Sequence, residues 1–342
     1  MIAALPSTWP NGVALSIKAA RFFMDIILHV GAHRTGTTSF QHYLQSNAAV
    51  LSEDATGYWG PLRTRKGLFS GLFPGVAGAS GRNLQRRAEG RVKMHLTLAE
   101  QAGVDRLIVS DENMIGSPRH CLRDGLLYPA VGDRMARISS AFGGRISRIV
   151  LSLRAQDLWW ASTSAYAVYR GHSVPTARHC ERIAHTRRGW RDVITDIACA
   201  APEAEIRVLP FEHHVGRPDL LFAAATDRPA PTTHADGWLN RSPDLAAMRT
   251  AIKQQDRDAS ELPEGDGRWQ PFAPAHTAAM RETYQDDMMW LSAGADGLAT
   301  LTQDPTRSRT GKSQPAGDIR QGHSNDQGHS SIPRPRHVAR SG

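Results

Sequence analysis

Apolar residues along the chain fall into short runs, and longer stretches of helical spacing separate those runs. Ile26-Ile27-Leu28-His29-Val30 has the length and β-branching of a buried strand. Three further runs read the same way: Arg106-Leu107-Ile108-Val109-Ser110, Ile149-Val150-Leu151 with Leu153, and Ile206-Arg207-Val208-Leu209-Pro210. Between them the period changes. Phe40, Tyr43 and Leu44 place a helix running to about residue 45, and further helices are expected over 83–103, around Met135, Ile138 and Phe142, and over 157–170, 190–200, 243–256 and 275–293. Residues 57–82, rich in Gly and Arg, read as a long, partly irregular loop. Strands alternating with helices predict βαβ units, hence an α/β fold with a central, mainly parallel sheet between two helical layers. Ligands of such sheets sit at the carboxyl ends of the strands. No internal repeat is evident.

Composition narrows the picture only at the ends. Of the 342 residues 40% are apolar, enough for a sizeable core, and no run reaches the roughly 18–20 apolar residues of a membrane helix. Residues 1–23 contain Pro6 and Pro10, with no basic residue ahead of the apolar stretch, so they read as a disordered leader or an overlong start rather than a signal peptide. The main domain is expected over 24–300. Residues 302–342 hold seven basic and three acidic residues, +4 of the chain's +8, and few large apolar ones; 301–342 is therefore expected to be a disordered basic tail. Such a tail solubilises, and no specific nucleic-acid partner is expected of it. Cys121, Cys180 and Cys199 have no metal or redox spacing and suit a reducing compartment, which predicts a cytoplasmic location.

The chemistry is concentrated where the first strand ends. Gly31-Ala32-His33-Arg34-Thr35-Gly36-Thr37-Thr38-Ser39 joins that strand to the next helix. Strand, glycine-bounded loop and helix start form an anion cradle, in which backbone N–H groups converge and the helix dipole adds roughly half a positive charge. The two glycines have the gap of an ATP-binding G-x-x-x-x-G-K-[ST] loop, but Thr37 stands where that loop carries lysine and the cation is displaced to Arg34. A second element lies about 120 residues on. Arg154 sits at the expected end of the third strand and Ser162 follows eight residues later, a fork and a hydroxyl suited to a phosphate.

Together these two elements resemble the sulfotransferases that use 3′-phosphoadenosine 5′-phosphosulfate (PAPS), over roughly residues 25–300. GYWGPLRTRKG at 57–67, IVSDEN at 108–113 and IRVLPFE at 206–212 add to the likeness with bacterial members. The resemblance implies a P-loop-type three-layer α/β/α fold and PAPS as co-substrate, with no metal. It implies that Gly31, His33, Arg34, Thr35, Gly36, Thr37, Thr38 and Ser39 form the 5′-phosphosulfate loop. Arg154 and Ser162 then form the 3′-phosphate grip, with Ser164 the alternative if the register slips. Members usually carry Lys where this chain has Arg34. The R-K-G-x-x-G-x-W segment with which many members close over the nucleotide is missing; Arg187-Arg188-Gly189-Trp190 is a fragment of it, and Asn240-Arg241-Ser242 is a substitute source of contacts.

Sulfuryl transfer needs in-line geometry, neutralisation of the leaving phosphate and a base for the acceptor's proton. Glu112, just past the second strand, is the first candidate for the base and Asp111 the second, with a helix cap or a salt bridge as their alternative role. Glu53, His95 and His120 follow, and Glu212-His213-His214 is a weak metal pattern. Tyr58, Trp59, Arg63, Arg65 and Arg82 suit either stacking on a small-molecule or carbohydrate acceptor or gripping an anionic one, or else a solvated basic loop with a Trp anchored in the core, and Trp159-Trp160 suits either an adenine pocket or the core. Two other readings stand beside the sulfotransferase: a P-loop kinase of a small metabolite, which Thr37 disfavours, and a non-catalytic nucleotide- or polyanion-binding protein.

Overall fold

The computed structural model describes residues 24–73 and 79–302, all in one compact unit. The expected leader and basic tail lie outside the described residues. Six strands form one sheet: β1 (Asp25–His29), β2 (Thr56–Trp59), β3 (Arg106–Ser110), β4 (Arg148–Leu153), β5 (Glu205–Pro210) and β6 (Thr300–Leu301). Their order is β2-β3-β1-β4-β5-β6 and every pairing is parallel. The four runs read from the sequence are β1, β3, β4 and β5.

Because side chains alternate across a strand, each run feeds two cores. Ile26, Leu28, Val109, Ile149, Leu151 and Val208 join one apolar cluster, while Ile27, Ile108, Val150 and Leu209 join another on the opposite face. Burial on both faces is why these strands read as continuous apolar runs. The layers are closed by helices α1 (Thr37–Ser46), α2 (Ala79–Gln101), α3 (Val131–Ala141), α4 (Gln156–Tyr169), α5 (Trp190–Ala200), α6 (Pro218–Thr226), α7 (Leu245–Gln254) and α8 (Pro274–Ser292), with shorter helices between them. Helix α4 is sheathed on a third side, where Ala165 and Val168 pack with Met248 and Ile252 of α7 and with Trp269.

In the stretch expected to be a long loop, the described residues carry regular elements. It contains β2, a helical turn at Pro61–Arg63, a wider turn at Thr64–Leu68 and the start of α2. No helix among the described residues is long and apolar enough to cross a membrane.

Strand order fixes where a ligand fits. From β1 the chain leaves toward β3 and β2, and from β4 it leaves toward β5 and β6. The neighbours β1 and β4 therefore flank the point where connections diverge, and their carboxyl ends leave a crevice.

Candidate functional site

Past His29, β1 continues along β4: the Val30 N–H donates to the Val150 carbonyl (3.0 Å) and the Ala32 N–H to that of Ser152 (2.6 Å). The chain then turns, and the Thr35 hydroxyl closes the turn by donating to the Ala32 carbonyl at 2.7 Å. Gly31 has φ 93° and Gly36 φ 80°, backbone that side chains resist. At Gly31 the neighbours leave no room for a side chain either. A Cβ on Gly31 would lie 2.9 Å from Cβ of Glu112, and one on Gly36 3.4 Å from the Phe211 ring. Glu112 thus abuts one end of the loop and Phe211 the other. Helix α1 starts on Gly36 with no side-chain cap, and the N–H groups of Thr37, Thr38 and Ser39 have no acceptor among the described residues.

His33 is a structural pin. Its backbone N–H donates to the Tyr128 hydroxyl (3.0 Å), its Nδ1 is hydrogen-bonded to the same hydroxyl (2.9 Å), and Nε2–H donates to Oδ1 of Asn113 (3.0 Å). Burial lowers the ring's pKa against the opposing pull of the Glu112 carboxylate. The Trp159 indole donates to the His33 carbonyl and the Trp190 indole to the Arg154 carbonyl, both at 2.8 Å. Tyr128, Trp159 and Trp190 pack with ring centroids 5.6–6.2 Å apart. One aromatic platform therefore anchors both the loop and the residue after β4. Trp159 and Trp160 are fully buried, so neither lines an open pocket, and the Arg187–Trp190 fragment supplies this anchor rather than a closing segment.

The cations converge from the loop and from β4. Arg34, at φ 63°, crosses to α4, where its Nε donates to Ser162 Oγ (3.1 Å), its Nη2 to Ser242 Oγ (3.1 Å), and its guanidinium lies 4.7 Å over Tyr166. Arg154 is buried, with Nη1 donating to the Arg34 carbonyl at 3.4 Å and the guanidinium 5.1 Å from the Phe211 ring. Its Nε has no partner. Burial foremost, then Arg268, with Arg34 adding to it, push its pKa down to about 10 against the smaller pull of Glu212. Neither Arg34 nor Arg154 has a carboxylate within ion-pair distance among the described residues. The expected Arg154 and Ser162 are thus brought to the loop, each touching Arg34. Ser164 Oγ is buried without a partner and does not join them.

The two carboxylates after β3 differ. Asp111 is spoken for: Oδ2 accepts from Thr64, while Oδ1 accepts from Arg65 (2.6 and 3.0 Å) and, as a helix cap, from the Asn113 N–H (3.0 Å). Glu112 accepts from Arg65 at 2.8 Å and from Gln41 at 2.9 Å and keeps 15% of its side chain exposed. Burial raises its pKa, but His33 and Arg65 outweigh that and hold it below the ordinary carboxylate value. Arg65 is tied to both carboxylates. Trp59 is core and carries the exposed Arg63 on its face at 4.6 Å.

Residues 239–242 cross the loop mouth. The Leu239 N–H donates to Ser39 (2.8 Å), the Asn240 amide to Thr38 (3.4 Å), and Ser242 meets Arg34 and Ser162. Tyr128, Asn113, Gln41, Phe211 and Arg268 are site residues that sequence reading missed. Gln41 follows the loop itself and Asn113 and Phe211 lie in segments noted for the likeness, but none of the five carries a spacing signal of its own. Comparison with protein-family models and with curated proteins returns no match for this chain.

Proposed function

We propose that the protein moves a sulfuryl group from PAPS to a hydroxyl or amine of an acceptor. The observation that carries this reading is the convergence of Arg34, Arg154 and Ser162 on a loop whose helix-start N–H groups are uncapped. Two guanidiniums with no carboxylate within ion-pair distance among the described residues, one with a donor left over, suit anionic groups of a ligand. With the resemblance of these two elements to the PAPS-using sulfotransferases, this set of donors favours an adenosine carrying phosphates at both 3′ and 5′ positions. Arg154 and Ser162 hold the 3′-phosphate, while loop amides and Arg34 hold the phosphosulfate.

In the reaction the acceptor oxygen or nitrogen attacks sulfur, the bond from sulfur to the bridging oxygen breaks, and that oxygen leaves as the phosphate of adenosine 3′,5′-bisphosphate. Arg34 neutralises the departing charge. Glu112 takes the acceptor proton; its low pKa keeps it ionised and, while Arg65 stays paired, makes it a weak base. Asp111 positions Arg65. The test follows labelled sulfate from PAPS: Arg34→Ala should abolish transfer and Arg154→Ala should chiefly weaken nucleotide binding. If neither variant changes binding or turnover, the assignment is wrong.

A further inference from the structure

A cavity of about 750 Å³ opens beside Arg34, and nothing derived so far uses it. Its size is that of sites for small organic molecules. One wall is the far side of α4 and the chain after it, including Tyr166, Ala167 and Val174; the other is the segment following Glu112, from Ser117 through Leu122. Tyr166 is the ring over which the Arg34 guanidinium lies at 4.7 Å, so one end of the cavity abuts the proposed transfer site. Thr163 and Ser164 form part of its lining, and their buried hydroxyl oxygens lack partners among the described residues.

The rim has one sign of charge. Arg119, Arg123 and Arg170 line it, as do His172 and His179, and no Asp or Glu does among the described residues. Arg123 is paired with Asp124 at 2.7 Å, but Arg119 and Arg170 are exposed and have no carboxylate within ion-pair distance among the described residues. Apolar walls need an apolar occupant to displace water from them. Two uncompensated guanidiniums at the mouth favour an occupant with an anionic end.

We propose that this cavity is the acceptor site and that the acceptor is a small anionic amphiphile. Its apolar body lies between Tyr166 and Leu122, its anionic group meets Arg119 and Arg170, and its nucleophilic hydroxyl or amine points toward Arg34. The proposal deepens the sulfotransferase reading and rests on it for the direction of the nucleophile.

The test uses the full chain and two probes that differ only in charge, 4-(4-hydroxyphenyl)butanoate and its neutral amide, measured by calorimetry. The carboxylate should bind about tenfold more tightly than the amide. Arg119→Glu with Arg170→Glu should remove that preference and leave adenosine 3′,5′-bisphosphate affinity unchanged. Ala167→Trp, which fills the cavity, should weaken both probes. Equal binding of the two probes, no binding of either, or a preference that survives charge reversal would overturn the proposal. Carboxylate preference without any bisphosphate binding would support the cavity and sink the nucleotide reading, so the two failures are distinct.

Discussion

Replacing Arg154 by Met should make the protein more stable and less able to bind nucleotide. The guanidinium is buried, one donor has no partner among the described residues, and its pKa falls from the ordinary guanidinium value to about 10. For a cation, a folded pKa below the unfolded one means that folding disfavours the charged form. The penalty is therefore complete below pH 10, where both states are protonated, and fades only as pH rises toward the ordinary guanidinium value. At about 1.4 kcal/mol per tenfold change in proton affinity, holding Arg154 charged at pH 7.5 costs about 3 kcal/mol. Met keeps the apolar stem but gives up the guanidinium over Phe211, which is worth about 1 kcal/mol. A net gain of about 2 kcal/mol should appear as a melting temperature several degrees higher, since 1 kcal/mol is worth about 2–4 °C in a domain of 150–250 residues. Losing a charge-assisted contact to phosphate should weaken adenosine 3′,5′-bisphosphate by roughly 10- to 100-fold. Thermal unfolding with and without the bisphosphate reads both effects. A variant that melts well below the wild type and is stabilised by the bisphosphate just as strongly would refute the reasoning.

Glu112→Gln preserves the side chain's shape and removes the base, so turnover should drop about 10²- to 10⁴-fold with bisphosphate affinity unchanged; retained turnover in a sulfate-transfer assay would exclude Glu112. Arg65→Ala removes the cation that lowers the Glu112 pKa, so the acid limb of kcat/KM, expected below the ordinary value of 4.5 in the wild type, should move to higher pH. A limb that stays in place would mean that the titrating group is another. Gly31→Ala meets both φ 93° and a 2.9 Å contact with Glu112; it should cost roughly 1–3 kcal/mol in denaturant unfolding and lower transfer, and an undisturbed variant would mean that the loop is not held as described.

What the sequence disclosed follows from how locally each feature is encoded. Strands β1, β3, β4 and β5 are buried on both faces, so each is a continuous apolar run. The edge strand β2, Thr56-Gly57-Tyr58-Trp59, has a glycine and no such run, and β6 is two residues long. Both draw their order from neighbours instead. Helices with a clear apolar stripe were legible, whereas short ones such as Pro118–Asp124 and Ala177–Ala184 were not. At the site, the loop and Arg154 carry local spacing signals. The strap was legible only as the segment Asn240-Arg241-Ser242, while the way it and the platform of Tyr128, Trp159 and Trp190 reach the loop arises from contacts across 95 to 200 positions, which leave no pattern in a single sequence. Of the two readings of Tyr58, Trp59, Arg63 and Arg65, the structure shows the one with Trp59 anchored in the core and exposed arginines beside it, and what composition could not show is that Arg65 meets the two carboxylates after β3.

The most direct measurement is calorimetric titration of the full-length protein, without magnesium, with adenosine 3′,5′-bisphosphate and with adenosine 5′-monophosphate. If the loop, Arg34, Arg154 and Ser162 hold two separate phosphates, the bisphosphate binds roughly 10- to 100-fold more tightly, and Arg154→Met erases the difference. Equal affinity for the two nucleotides, or heat only with ATP and magnesium, would contradict the account.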